Sequence, residues 1–324
     1  MGHCSIKNIC PYRYSIFIIC CILVTSILMG SVAGCSSADA AADSSKSKGT
    51  PWDNTPSVLT PQASGVTVIG SDNVSIDISN ISDGYLMMQY NGSNEKVKFQ
   101  IQTPDGTECT YLVDKPGEDA VYPLPGGNGS YTLKLLEVVD LDKNLYAVSF
   151  TQTIDVQITD EFSPFLYPNY YVNYTADSKA VKRGLELAED CYSALDVISN
   201  IYNYVIKNIS YDDDKAENVS YGYTPDVDET LSAKKGICFD YASLMTAMLR
   251  TQRIPTRLEV GYAGEAYHAW ISCYVKDVGW VNDIIRFDGK DWSLMDPTFA
   301  ASHNDTSVKK YIGDGSKYMV KYTY

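Results

Sequence analysis

The chain has 324 residues, of which 45% are hydrophobic and 20% charged, and its formal net charge is −14. At roughly 100–200 residues per domain, this length predicts two folded domains. Phosphate binding requires clustered lysine and arginine, so the acidic balance argues against a nucleic-acid partner. Tyrosine is unusually frequent, with 26 Tyr against 8 Phe. This suits β-rich proteins and binding surfaces, because the ring can be buried while the hydroxyl stays polar.

The first 35 residues have the pattern of an export signal. Lys7 and Arg13 precede an apolar run over residues 15–33, and small residues follow that run. The sequence Val-Ala-Gly-Cys at 32–35 resembles the bacterial lipobox, which implies a lipid on Cys35 and a place on the outer face of the cytoplasmic membrane. The alternative is an uncleaved transmembrane anchor, since the run is nearly long enough to span a bilayer. Either way, the rest of the chain lies outside the cytoplasm.

Three segments separate this leader from the chemically informative part. Residues 36–65 carry few bulky apolar groups, so we expect a flexible tether. Residues 66–160 contain short apolar or alternating runs divided by turn signals, which predicts about seven strands in an immunoglobulin-like β-sandwich. Residues 161–177 form a linker that leads to a second domain over residues 178–324.

The second domain begins with helical periodicity. Residues 179–191 and 194–207 are predicted helices, and the acidic stretch 212–230 is predicted as a loop. A further helix is expected to begin at Cys238, directly after the helix-breaking Gly236. A cysteine in the first helical turn lies at the positive end of the macrodipole, which favours the nucleophilic thiolate. Its backbone N–H is also free to bind an oxyanion.

A base and an orienting acceptor are needed to complete such a nucleophile. Outside the leader the chain has two histidines, and His303 lies in a polar stretch, which leaves His268 as the candidate base. His268 belongs to a predicted strand at 267–275, whose opposite face places Cys273 in the core. Asp296 precedes Pro297 and is therefore expected at a strand end. Asp283, in a long insertion between His268 and Asp296, is the rival orienter.

Four local motifs resemble those of the transglutaminase-like superfamily. They are the Gly-Ile-Cys-Phe-Asp-Tyr-Ala stretch from Gly236, Ile-Pro-Thr-Arg at 254–257, Tyr-His-Ala-Trp at 267–270, and Asp-Pro-Thr from Asp296. The resemblance covers residues 178–300 and implies an α+β, papain-like core with helices packed on an antiparallel sheet. It implies that Cys238 is the nucleophile, His268 the base and Asp296 the orienter. Tyr211 matches a position where relatives often place a tyrosine, either as an oxyanion donor or as a core residue.

The expected function is amide or peptide acyl transfer through a thioester, by a peptidase, a deamidase or a crosslinker. No cofactor or metal is expected, because the remaining cysteines at 109, 191 and 273 have no zinc-site spacing. Expected partners are a protein or peptide substrate, including cell-wall peptides, and the membrane through the lipid. The alternative is a catalytically inactive binding or adhesion module at the cell surface.

Overall fold

The computed structural model of the protein describes residues 49–263, 265–281, 285–287, 292–294 and 318–324. The predictions for Cys35, Asp283, Asp296 and His303 lie outside the described residues. No helix in the described ranges is long and apolar enough to cross a membrane. The elements from residue 49 onward belong to a single compact unit.

Two four-stranded antiparallel sheets occupy residues 68–156, with strand orders β1-β2-β3-β6 and β5-β4-β7-β8. Strand β4 shows why they pair, because its apolar residues alternate with polar ones and every second side chain is buried. The strands are β1 (Val68–Ser71), β2 (Val74–Asp77), β3 (Tyr85–Tyr90), β4 (Val97–Gln102), β5 (Glu108–Leu112), β6 (Ala120–Pro123), β7 (Gly129–Asp140) and β8 (Leu145–Val156).

Five α-helices, a third four-stranded antiparallel sheet and two two-stranded pairs, β9–β10 and β14–β15, follow within the described residues. The sheet has the strand order β13-β12-β11-β16, and α5 packs against its two central strands. The helices are α1 (Lys179–Leu187), α2 (Ala194–Asn208), α3 (Asp213–Asn218), α4 (Val227–Ala233) and α5 (Cys238–Thr251). The strands in this part of the chain, including those outside the sheet, are β9 (Ser210–Tyr211), β10 (Lys235–Gly236), β11 (Thr256–Ala263), β12 (Ala266–Val275), β13 (Gly279–Val281), β14 (Ile285–Phe287), β15 (Trp292–Leu294) and β16 (Tyr318–Thr323). The mixed helix and antiparallel-sheet class is as predicted.

The acidic stretch 212–230 is not the loop that its polarity suggested. It contains α3 and α4, and each begins at a side-chain cap. Asp212 accepts the backbone N–H of Lys215, and Asp226 accepts those of Asp228 and Glu229. The acidic residues of the first turns also interact favourably with the positive ends of these helices, so the polar composition helped to start the helices.

The flexible tether predicted over 36–65 is wrong for residues 52–57, which bind along the end of α5. The Trp52 backbone N–H donates to the Cys191 carbonyl at 2.8 Å, and its indole N–H donates to Gln252 at 3.1 Å. The Ser57 N–H donates to the Thr251 carbonyl at 2.8 Å. Backbone hydrogen bonding holds this segment although its composition supplies little apolar burial.

An aromatic cluster joins the first two sheets to the helical part. Tyr170 and Tyr171 of the linker contact Tyr111 and Tyr122 of the sheets. The ring centroids of neighbouring rings in this group of four are 4.8–5.5 Å apart. Tyr324 contacts Tyr171 edge to face, with ring centroids 4.6 Å apart. Side chains of both regions therefore form one continuous buried core.

A buried arginine anchors the far end of α5. Arg250 donates to the carbonyls of Thr256, Tyr167 and Tyr324 at 2.6–3.0 Å. Burial lowers the pKa of its guanidinium to about 10, so the group stays charged at neutral pH. One side chain thus joins the helix, the linker and the last described residue.

Candidate active site

Helix α5 begins at Cys238, as predicted. The preceding residue, Ile237, has an extended backbone and donates its N–H to the Asp240 carboxylate at 2.8 Å. Gly236 is needed here, because a Cβ at this position would lie 2.7 Å from the Cβ of Asp240. The glycine therefore lets the chain turn tightly into the helix that presents the thiol.

A buried ionic network supports this turn. Asp240 has no exposed surface, and its carboxylate accepts hydrogen bonds from the Lys215 ammonium at 2.8 Å and the Tyr223 hydroxyl at 2.5 Å. Lys215 lies on α3, so the network ties that helix to the start of α5. The sequence analysis missed this network. Its only visible signal was an aspartate at the third position of the predicted helix.

Strand β12 brings His268 to the same place. The backbone N–H of Ala269, the residue after His268, lies near the Cys238 thiol and opposes the rise in its pKa. His268 is 8% exposed and stacks on Trp270, with ring centroids 6.4 Å apart. Burial lowers the pKa of His268 to about 4. At neutral pH the imidazole is therefore uncharged, which is the form that accepts a proton.

The thiol itself departs from expectation. The helix macrodipole predicted a stabilised thiolate, but burial raises the pKa of Cys238 above its ordinary value. The N–H groups of Ala269 and Phe239 oppose this rise without cancelling it. Part of the residue remains exposed, yet protein surrounds most of the sulfur. In the substrate-free protein the Cys238 thiol and the His268 imidazole are therefore both neutral at pH 7.

The Cys238 charge acts on two tyrosines, Tyr211 and Tyr267. Tyr211, on β9, is half-buried, and burial together with the Cys238 charge raises its pKa to about 12. Tyr267 is 56% exposed, and its pKa rises to about 12 through burial and the charges of neighbouring tyrosines and of Cys238. Its ring lies edge-on to Tyr262 at 5.4 Å. Both hydroxyls near the sulfur stay protonated at neutral pH, and the oxyanion role of Tyr211 remains a prediction.

The other predicted residues have simpler outcomes. Cys273 is fully buried in the core as expected, and Cys109 and Cys191 are also buried free thiols. Asp296 and Asp283 lie outside the described residues. Among the described residues, no group of three or more His, Cys, Asp or Glu side chains has an arrangement that could hold a metal ion.

Comparisons with known proteins agree with the sequence resemblance. Residues 181–283 match the family model of the transglutaminase-like superfamily, a range that contains Cys238 and His268. A UPF0252 protein of Methanocaldococcus jannaschii is 34% identical over 100 residues, which are 26% of this chain and 28% of that protein's length. The chain thus spans well under a third of this curated relative.

Two solved structures are more distantly similar. A Cytophaga hutchinsonii protein proposed to be a cysteine protease is 14% identical, with 67% of each chain covered and a TM-score of 0.34. The periplasmic domain of TgpA from Pseudomonas aeruginosa is 13% identical, with 78% of this chain and 100% of that chain covered and a TM-score of 0.29. TM-scores at this level carry no argument about function.

Proposed function

Because residues 181–283 carry a transglutaminase-like domain, we propose that the protein is a thiol-dependent enzyme that transfers acyl groups from amide or peptide bonds outside the cytoplasm. The observation that supports this most directly is the contact of the Cys238 thiol with the backbone N–H that follows His268. A nucleophile and a neutral base on adjacent, rigid elements are the minimum requirement for covalent acyl transfer.

The proposed reaction starts from the neutral pair. His268 takes the thiol proton as the Cys238 sulfur attacks the carbonyl carbon of the substrate amide, giving a tetrahedral oxyanion. The backbone N–H groups at the start of α5 are suited to bind this oxyanion. When the carbon–nitrogen bond breaks, the imidazolium returns its proton to the departing amine and a thioester remains on Cys238. Asp296 is expected to hold the imidazole in one tautomer.

Resolution of the thioester decides the class of enzyme. Attack by water gives a peptidase or deamidase, and attack by a lysine-type amine gives a crosslinker. A library of glutamine-containing peptides, incubated with and without a fluorescent primary amine, separates the outcomes: conversion of glutamine to glutamate or new amino termini indicate hydrolysis, and incorporated fluorescence indicates crosslinking. Ammonia release reports the acylation of Cys238 by a glutamine side chain in either case.

Two variants and a control test the assignment of the catalytic residues. Cys238→Ala should abolish turnover, and His268→Gln should lower kcat at least about 100-fold, because general-base catalysis typically contributes that much. Cys273→Ala, which removes a buried thiol of the core, should keep the activity. Turnover that survives Cys238→Ala would refute the mechanism.

A non-catalytic binding or adhesion module is the second candidate, and the raised pKa of the Cys238 thiol favours it. Such a module would bind peptides without turning them over. Equal peptide affinity in the wild type and in Cys238→Ala, with no product from either, would support this alternative.

We further propose export and lipid attachment at Cys35, with protein or cell-wall peptides as substrates. The supporting observations are the charged start, the apolar run and the Val-Ala-Gly-Cys sequence at 32–35. Growth with a labelled fatty acid should mark the wild-type protein and leave Cys35→Ala unlabelled. Labelled Cys35→Ala, or an unlabelled wild type in the membrane fraction, would contradict the attachment site.

The two-sheet region is proposed to be an immunoglobulin-like sandwich. Its support is Tyr131, near the start of β7, whose hydroxyl donates to the carbonyls of Leu124 at 3.2 Å and Gly127 at 3.0 Å. A tyrosine bonded to the backbone a few residues upstream is the corner typical of that fold.

A further inference from the structure

Strand β8 is an open edge of the sheet β5-β4-β7-β8. Among the described residues it pairs only with β7, so no strand lies along its other side. Its 12 residues include a single charged side chain, that of Asp155, and the side chains at positions 147–149 and 151–153 are exposed. A long, nearly uncharged edge of this kind offers a row of backbone donors and acceptors to another chain.

The other edges of the two sheets have protection that β8 lacks. Strand β1 has four residues and β5 has five, and β5 also begins with the charged Glu108. The linker lies along β6, where the Tyr170 N–H donates to the Val121 carbonyl at 2.8 Å. Short length, charge and a covering segment are common ways to prevent pairing at an edge. Strand β8 has β-bulges in its first half, but it pairs regularly with β7 from Phe150 onward.

The sequence of this regular part is nearly symmetric around Gln152. Threonines flank Gln152 on both sides, at positions 151 and 153, and large apolar side chains come next, Phe150 and Ile154. In an antiparallel pair of two β8 strands with Gln152 opposite Gln152, each Thr151 therefore lies opposite a Thr153. Each Phe150 lies opposite an Ile154. Cross-strand pairs of these types stabilise antiparallel sheets.

Both faces of the sheet would continue across this pair. Phe150 and Ile154 lie on the core face, opposite buried residues of β7. Thr153 lies on the outer face, where its hydroxyl is 3.2 Å from the Thr132 hydroxyl, and a threonine of the second strand extends this row. Asp155 lies opposite a serine of the second strand, at position 149, so the register brings no two like charges together.

We propose that β8 pairs with β8 of a second copy of this chain, antiparallel and centred on Gln152. The pairing joins two four-stranded sheets into one sheet. A two-fold contact uses each edge once, so the assembly stops at two copies. In the single chain the Gln152 amide donates to the Thr153 carbonyl at 3.0 Å. In the dimer the two Gln152 side chains lie opposite each other at the axis.

Sedimentation equilibrium of the full chain, in a detergent matched to the density of the solvent, tests the association. Strand pairing makes a small interface, so we expect a monomer–dimer equilibrium with a Kd on the order of 10 µM. A protein that stays monomeric at about ten times this concentration would overturn the proposal and leave the edge to a different partner chain.

Two matched double variants test whether β8 forms the contact. Thr151→Lys with Thr153→Lys places ammonium groups opposite each other across the axis, so the Kd should rise at least about tenfold. Thr151→Lys with Thr153→Glu places each ammonium opposite a carboxylate and should keep the dimer. Both positions are exposed, so the circular dichroism of both variants should match the wild type. Equal Kd values in the two variants would overturn the assignment to β8.

Disulfide formation tests the register. Gln152→Cys places two thiols opposite each other at the axis, so mild oxidation should join two copies of the peptide that contains position 152, as measured by mass spectrometry. Thr153→Cys should not join to itself, because its thiol lies opposite Thr151. The reverse result would overturn the register. The inference does not rest on the proposed catalysis, since Cys238→Ala should dimerise with the wild-type Kd although it has no turnover.

Discussion

The two side chains proposed to react, Cys238 and His268, differ from the ion pair that often prepares a cysteine for attack. Burial raises the pKa of Cys238 and lowers the pKa of His268, so both groups are neutral at pH 7. The proton must then move as the sulfur–carbon bond forms, and the substrate itself must help to trigger the transfer. This places the activation step in the complex with substrate rather than in the free protein.

Alkylation of the substrate-free protein tests this arrangement. Iodoacetamide should modify Cys238 more slowly at pH 7 than it modifies free cysteine, and the rate should keep rising with pH beyond pH 9 before it levels off, since the thiol pKa lies above its ordinary value of 9.0. His268→Gln should leave this profile unchanged. Mass spectrometry of the Cys238 peptide gives the rates. Rapid modification at pH 6 that disappears in His268→Gln would instead establish an ion pair.

The buried imidazole also predicts acid sensitivity of the fold. In the unfolded chain a histidine titrates near its model value of 6.5, but in the folded protein His268 titrates near 4. The unfolded state therefore binds more protons between these pH values, and stability is lost as the pH falls through that window, by up to about 3 kcal/mol.

Urea unfolding at pH 7 and pH 4, in the wild type and in His268→Gln, measures this contribution. The difference in free energy of unfolding between the two pH values should be smaller in the variant. Equal differences in both proteins would show that His268 titrates normally in the folded state.

At the scale of elements, α3 holds the start of the nucleophile helix through one buried carboxylate. Lys215→Met should leave the Asp240 charge without its ammonium and lower the free energy of unfolding by about 2–3 kcal/mol. Lys143→Met removes a lysine at the same 2.8 Å distance from Asp140, but on the surface, and should have little effect. Chemical denaturation of both variants gives the comparison, and equal losses would contradict the supporting role of the network.

The buried Tyr131 hydroxyl, near the start of β7, leads to a second prediction at the scale of elements. Tyr131→Phe removes a buried hydroxyl that has two backbone acceptors, so it should cost about 1 kcal/mol of stability. Tyr202→Phe removes a buried hydroxyl with no partner among the described residues and should cost less. Thermal unfolding of the two variants measures the loss of stability in each. If Tyr202→Phe loses as much stability as Tyr131→Phe, the proposed stabilising role of the Tyr131 hydrogen bonds to the backbone is wrong.

The sequence predicted those elements whose signal is local. The 3.6-residue period identified α2, and the glycine before Cys238 located the start of α5. Strand β12 followed from its alternation. By contrast, α3 and α4 have polar sequences and start at side-chain caps, so their hydrophobic pattern is weak. The Asp240–Lys215 pair and the contact of residues 52–57 with α5 join distant parts of the chain, and no local pattern records such contacts.

For the whole molecule, the aromatic cluster predicts cooperative unfolding. Tyr170 and Tyr171 connect the core of the sheets to α5, where Tyr171 contacts Phe239 at 5.2 Å and accepts the Ser243 hydroxyl at 2.7 Å. Calorimetry should therefore give a single transition for residues from 49 onward. Tyr171→Ala should split it in two, because it removes the shared packing. Two transitions already present in the wild type would contradict this coupling.

Tyr324 also constrains how the protein can be made. Its backbone exchanges two hydrogen bonds with Leu258, at 2.8 and 3.0 Å, and its carbonyl receives Arg250. Strand β11 pairs with β12 on one side, but its other edge lacks a neighbour until β16, more than fifty residues later in the chain, has been synthesised. The sheet against which α5 packs therefore stays incomplete until synthesis has reached β16.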